Sequence, residues 1–116
     1  MTIRELYQTI GSDFDDVLAR IPNEKLIGRL VKKFLQEGSM TLLTESMKAG
    51  EKKEALTAVH TMKGLALNLG FTVLGRACTV MNEALKEGRA EDPQEMYQEV
   101  LKAYDQVVSL IEECEV

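Results

Sequence analysis

The sequence predicts an all-α protein, an antiparallel up-down four-helix bundle with two short helices at its N-terminus. Apolar residues recur at three- and four-residue steps along most of the chain, and glycine and proline fall between these segments. Aromatic residues make up only 5% of the chain, tryptophan is absent, and six methionines join many leucines and alanines. Strands favour aromatic and β-branched residues, so this composition favours helices.

Residues 1–21 are predicted to form the two short helices. Thr2 and Glu5 have the spacing of a capping box, which satisfies the first backbone N–H groups of a helix. Ser12 and Asp15 repeat that pattern at the start of the second helix.

Residues 23–114 are predicted to form the bundle. Asn23 caps its first helix, which Gly38-Ser39 interrupts. This interruption is either the end of one helix and the start of the next or a kink within one long helix. The segment that follows ends at Gly50.

Three long helices complete the predicted bundle, and short loops make neighbouring helices antiparallel. The central helix covers about 51–69 and is closed by Gly70, and the next covers about 72–87. The last begins at Asp92-Pro93, with the aspartate as N-cap and the proline in the first helical position.

Length and composition indicate one domain that covers residues 1–116. The net charge of -5 argues against a nucleic-acid binder, which would present a basic face. Cys78 and Cys114 lack the spacing of a zinc site and are too few for a disulfide framework, which favours a reducing compartment. No apolar run is long enough to span a bilayer and no signal peptide is recognisable. We expect a cytoplasmic monomer.

His60 is the only histidine of the chain, and it lies on the central helix. It shares a helical face with Lys63, Gly64 and Leu67, next to a core stripe of Leu56, Val59, Met62, Ala66 and Leu69. An imidazole is a usable nucleophile at neutral pH, and a lysine one turn away suits an anion carried on the ring. Gly64 removes a side chain that would block a large partner.

The turn at Gly70 folds the next helix back, so residues whose numbers sum to about 142 lie level across the hairpin. Asn82 is then level with His60 and within reach of a hydrogen bond to the imidazole, which would fix its tautomer. Cys78 is level with Gly64, which suggests close helix contact there and a packing role for the thiol.

Each of these residues alone has a simpler interpretation. A lone helical histidine is more often structural than catalytic, and Lys63 and Asn82 are ordinary surface side chains. Gly64 alone fits a tight helix crossing. The combination is stronger, but it does not name a reaction.

The motif His60-Thr61-Met62-Lys63-Gly64, followed by Asn68-Leu69-Gly70, resembles the signature of histidine-containing phosphotransfer (HPt) domains. The resemblance covers most of the chain. Other segments fall in the expected order, namely Leu6-Tyr7, Ile10-Gly11-Ser12-Asp13, Phe34-Leu35, Ala49-Gly50 and Met81-Asn82-Glu83-Ala84-Leu85.

The resemblance implies that His60 accepts a phosphoryl group from a receiver-domain aspartate and passes it to another receiver, with no kinase activity of its own. Lys63 would assist with charge or docking, and Gly64 would keep the surface clear. Asn82 stands where relatives commonly carry a glutamate or glutamine that orients the ring; it is one methylene shorter, so that bond is long, water-mediated or absent. Lys86 stands where some relatives carry a basic residue. No cofactor is bound by the chain itself, and Mg²⁺ comes from the receiver.

Three other interpretations compete with this one. The first is a helical module that docks a signalling partner through Leu67 and its neighbours without being phosphorylated. The second is a metal site that uses His60 with carboxylates, which a chain with one histidine makes weak. The third, a helix-turn-helix DNA binder, conflicts with the acidic charge. The sequence leaves open the partner kinase, the receivers, the signal and whether this is a free-standing carrier or part of a larger kinase; Met1 mildly favours the former.

Overall fold

A computed structural model describes residues 1–88 and 93–115, and within those ranges the chain is helical without any strand. The all-α prediction is therefore confirmed for the described residues. The seven described helices are α1 (Ile3–Thr9), α2 (Phe14–Arg20), α3 (Glu24–Phe34), α4 (Ser39–Ala49), α5 (Lys52–Asn68), α6 (Thr72–Lys86) and α7 (Gln94–Glu112).

Most helix starts and stops follow their local sequence. Thr2 and Glu5 form the predicted capping box, and the Asn23 side chain accepts a hydrogen bond from the Leu26 N–H. Gly50 closes α4 with φ 69°, a left-handed conformation that favours glycine.

The predicted start of α2 is wrong by one residue. Asp13 caps this helix, because its side chain accepts the Asp15 N–H. Ser12, the predicted cap, instead donates its hydroxyl to the carbonyl of Gly70, which is distant in sequence.

The break between α3 and α4 and the start of α7 also differ in detail from the prediction. α3 ends at Phe34, and Gly38 is the N-cap of α4, so the chain forms two helices. The Glu37 carboxylate pairs the first polar groups of α4, because it accepts hydrogen bonds from both the N–H and the hydroxyl of Ser39. Pro93 is the N-cap of α7 and not its first helical residue, while the predicted cap Asp92 lies outside the described residues.

The core draws buried apolar side chains from all of these helices, with α5 packed against α4 and α6, and α6 against α7. On α5 the buried stripe includes Ala55 and Ala58, whereas Leu56, predicted to be core, is only half-buried. The buried stripe is thus centred further around the helix from His60 than predicted, and His60 itself is exposed.

An aromatic cluster holds the α5–α6 turn against the N-terminal helices. The ring of Phe71, directly after the turn, lies 6.0 Å from Tyr7 and 5.2 Å from Phe34 between ring centroids. Tyr7 also contacts Phe14 at 5.0 Å. The two short helices are therefore part of the same core as the long ones.

Candidate functional site

His60 lies on the outer face of α5 and is exposed to solvent. The completely buried Met62 is two residues further on, which places it about 160° around the helix axis from His60. This spacing holds the imidazole away from the core, where another protein can reach it.

Gly64 stands one turn from His60, and it is exposed as well. A Cβ added to this glycine would meet no described atom within 4 Å. Tight packing against Cys78 therefore does not explain the glycine, and the close helix contact expected at that level stays a prediction. Glycine destabilises a helix interior by about 1 kcal/mol relative to alanine, and packing within the chain does not require it here.

Lys63 is half-buried and lies three residues after His60 on α5, about one helical turn away. In the part of the chain that the structure describes, neither ion pair involves Lys63. Its charge is consequently available to an anion brought to His60.

Asn82 on α6 is only 6% exposed, although the sequence suggested a flanking surface residue. Its Oδ1 is buried and has no hydrogen-bond partner among the described residues. The predicted hydrogen bond between Asn82 and the ring of His60 is thus absent from this structure. An unpaired buried acceptor destabilises a protein by about 1–3 kcal/mol, so its retention needs an explanation.

The predicted register of the α5–α6 hairpin is confirmed where its two helices approach most closely. A Cβ added to Gly75 would lie 2.5 Å from Cδ2 of Leu67, so these two residues lie level across the hairpin. Their numbers sum to about 142, as the turn at Gly70 predicts. The same register places Asn82 level with His60. Gly75 was missed in the sequence, although a glycine inside a helix was a signal for it.

The carboxyl end of α5 is held by residues that sequence reasoning did not assign to the site. Arg20 donates to the carbonyl oxygens of Leu67 at 3.2 Å and Asn68 at 2.9 Å. The hydroxyl of Tyr7 donates to the carbonyl of Leu69 at 2.6 Å. The bonds to Asn68 and Leu69 satisfy carbonyls that the last turn of a helix leaves unpaired, whereas the Leu67 carbonyl also accepts the Gly70 N–H at 3.2 Å. The partners are far apart in sequence, so no local signal could have found them.

The structure now places an exposed histidine, a lysine and an unobstructed glycine on one helical face, in the order of the signature noted in the sequence. The family model of the Hpt domain matches residues 29–110, well over half of the chain, and this range includes that face and Asn82. The chain belongs to the Hpt family. Hpt domains are phosphotransfer modules of two-component phosphorelays that interact with receiver domains and have no kinase activity of their own.

The Hpt family model begins after α1 and α2, so Tyr7, Ser12 and Arg20 lie outside the matched range. Neither the comparison with curated proteins nor that with solved structures gave a significant match. The family assignment therefore depends on the family model together with the site geometry.

Carboxylates and thiols are the other candidate reactive groups of this Hpt domain. Within residues 1–88 and 93–115, no group of three His, Cys, Asp or Glu side chains comes together in a way that could hold a metal ion. Burial raises the pKa of the Cys78 thiol to about 12, which keeps it protonated and fits a packing role. Among the described helices, none has the length and hydropathy of a membrane-spanning segment.

Proposed function

We propose that this protein is a histidine phosphocarrier in which His60 accepts a phosphoryl group from a receiver-domain aspartate and passes it to another receiver. One observation carries the proposal, namely that His60 is exposed beside open space at Gly64 within the range matched by the Hpt model. A receiver must bring its aspartyl phosphate into line with the ring, which needs room for a second protein.

In the transfer step, the imidazole nitrogen that carries a lone pair attacks the phosphorus of the aspartyl phosphate. The P–O bond to the aspartate breaks, and the carboxylate leaves with the bonding electrons. The other ring nitrogen keeps its proton until solvent or a protein acceptor takes it. Delivery to the second receiver reverses these events, with an aspartate oxygen as nucleophile and the ring nitrogen as leaving group.

Lys63 has the role of a cation near the transferred phosphoryl group or the docked partner. Phosphoryl transfer depends mainly on positioning and on neutralising charge, and Lys63 supplies one positive charge without a competing ion pair among the described residues. In this proposal Mg²⁺ belongs to the receiver, and this chain contributes the nucleophile.

Asn82 has the role of a positioning residue for the imidazole. Its Oδ1 has no partner among the described residues and the hairpin register places Asn82 level with His60, so we assign it as the acceptor of the ring N–H when the imidazole turns towards α6. That hydrogen bond would fix the tautomer whose other nitrogen is the nucleophile. The need for such an acceptor during transfer would explain why a buried oxygen is left unpaired in the resting protein.

In this proposal residues 1–116 are one domain, and 23–114 form an up-down four-helix bundle whose first helix is divided into α3 and α4. The protein acts as a monomer in the cytoplasm. The antiparallel α5–α6 hairpin and the shared apolar core support the single-domain bundle.

The test is incubation of the full chain with a purified receiver domain that carries ³²P-labelled aspartyl phosphate. We expect acid-labile, alkali-stable label on the wild type and none on His60→Gln. Incorporation of the same amount of ³²P by His60→Gln would overturn the assignment of His60 as the phosphoacceptor. A wild type that binds the receiver but takes no label would favour the alternative of a non-phosphorylated docking module.

A second arm of the same experiment addresses Asn82. Asn82→Leu removes the acceptor at similar volume and is expected to slow transfer about tenfold, while its urea midpoint stays equal or rises because an unpaired buried oxygen is lost. The ¹⁵N chemical shifts of the His60 ring report the tautomer. Unchanged transfer and unchanged ring shifts would show that Asn82 does not position the imidazole.

A further inference from the structure

Leu67 projects from the same helical face as His60, two turns along α5, with 43% of its surface exposed. Other large exposed apolar residues in the described ranges lie on other helices, namely Leu26, Leu42, Val73 and Val80. Leu67 is about 10 Å from His60 along the axis, with the open space at Gly64 between them.

Gly75 determines where the Leu67 side chain lies. A Cβ at position 75 would be 2.5 Å from Cδ2 and 3.0 Å from Cγ of Leu67, so the leucine lies directly across the Cα of this buried glycine. Any larger residue at position 75 would have to push Leu67 aside. One part of the leucine is thus fixed against Gly75, while the rest faces outward.

A fixed apolar side chain near a reactive group is well suited to choosing a partner. Part of Leu67 is already packed against α6 in the space that Gly75 leaves, so less conformational freedom remains to be lost on binding. A partner with an apolar depression at the matching distance binds more tightly, because it buries Leu67. A partner with a charge at that place must desolvate the charge and binds less tightly.

We propose that Leu67, held against Gly75, is a specificity-determining residue that selects receivers with apolar side chains about 10 Å from their phosphorylated aspartate. This inference rests on the proposed function of His60. Leu67 on α5 and Gly75 on α6 would affect the choice of partner and not the chemistry of the His60 ring.

The test compares two phosphoryl donors on the full chain. Phosphoramidate is small and reports the reactivity of His60 alone, whereas a purified receiver charged with acetyl phosphate and Mg²⁺ must dock. The readout is the ratio of the receiver-dependent to the phosphoramidate-dependent rate of labelling. Leu67→Ala is expected to lower this ratio about tenfold.

Gly75→Ala should lower the same ratio by displacing Leu67, and it should add nothing further in the Leu67→Ala background. Leu26→Ala is the matched control, since it removes the same side chain at 36% exposure from α3. Its ratio should equal that of the wild type. Circular dichroism melting curves verify that each variant is folded.

An unchanged ratio in Leu67→Ala would overturn the inference while leaving the function of His60 intact. An additive loss in the double variant would overturn the part assigned to Gly75. A wild type that takes label from neither donor would instead overturn the proposed function itself, and the inference with it.

Discussion

Gly64 destabilises α5 without a packing reason within the protein. The position is exposed, and a Cβ there would meet no described atom within 4 Å. This glycine is retained although it lowers the stability of the protein. Its replacement should therefore raise stability and lower the rate of the proposed phosphoryl transfer.

We therefore predict that Gly64→Ala stabilises the protein by about 0.5–1 kcal/mol, since alanine restricts the unfolded chain and favours the helix. The same change should slow phosphoryl transfer from a receiver, because the added methyl group lies where the partner approaches. Urea denaturation measures the first effect and transfer kinetics the second. Labelling by phosphoramidate is the internal control, and a variant that gains stability with no loss of receiver-dependent transfer would contradict the proposed role.

At the scale of helices, the end of α5 depends on a side chain from α2. Arg20 donates to the carbonyls of Leu67 and Asn68, and its positive charge lies at the carboxyl end of the helix. Arg20 also pairs with Asp16 at 2.7 Å, which helps to orient the guanidinium group.

Arg20→Met is predicted to lower the free energy of unfolding by about 1 kcal/mol, because the Asn68 carbonyl at the end of α5 loses its donor. Hydrogen exchange should show faster opening of amides near Leu69. Arg4→Met is the matched control: Arg4 forms an exposed ion pair with Glu24 at 2.9 Å and lies 4.9 Å from the centre of the Phe14 ring, but it donates to no carbonyl of α5. Equal losses from both substitutions would argue that Arg20 acts only as a surface charge.

The helices and the reactive face were predictable because they depend on local rules. Helical periodicity and the turn at Gly70 give the register of the hairpin, and with it the position of Asn82 opposite His60. The state of the Asn82 amide was not predictable, because burial depends on how α6 turns against its neighbours. The contacts of Ser12 and Arg20 with the α5–α6 turn join residues far apart in sequence, so only the folded chain reveals them.

At the scale of the whole molecule, the core holds groups that resist ionisation. Burial raises the pKa of Cys78 to about 12 and raises the pKa of Tyr7 as well. In the unfolded chain these groups ionise near their ordinary values, so above about pH 9 the unfolded state releases protons that the folded state retains.

We predict that the free energy of unfolding falls as the pH rises from about 9 towards 12. Urea midpoints at pH 7.5 and 10.5 measure this loss. Cys78→Ala should reduce the difference between the two midpoints, since one buried proton no longer has to be retained. Midpoints that agree at both pH values would contradict the burial of these groups.

The hydrogen bonds from Tyr7 and Arg20 have a consequence for anyone who grafts this phosphotransfer unit into a chimaera. A transplant cut at the family borders, 29–110, would carry the histidine but leave behind both donors. The carbonyl oxygens at the end of α5 would then have only water as a hydrogen-bond donor, and the last turn of α5, which carries Leu67, would be less stable. Transplants meant to keep partner choice should extend upstream to include both short helices.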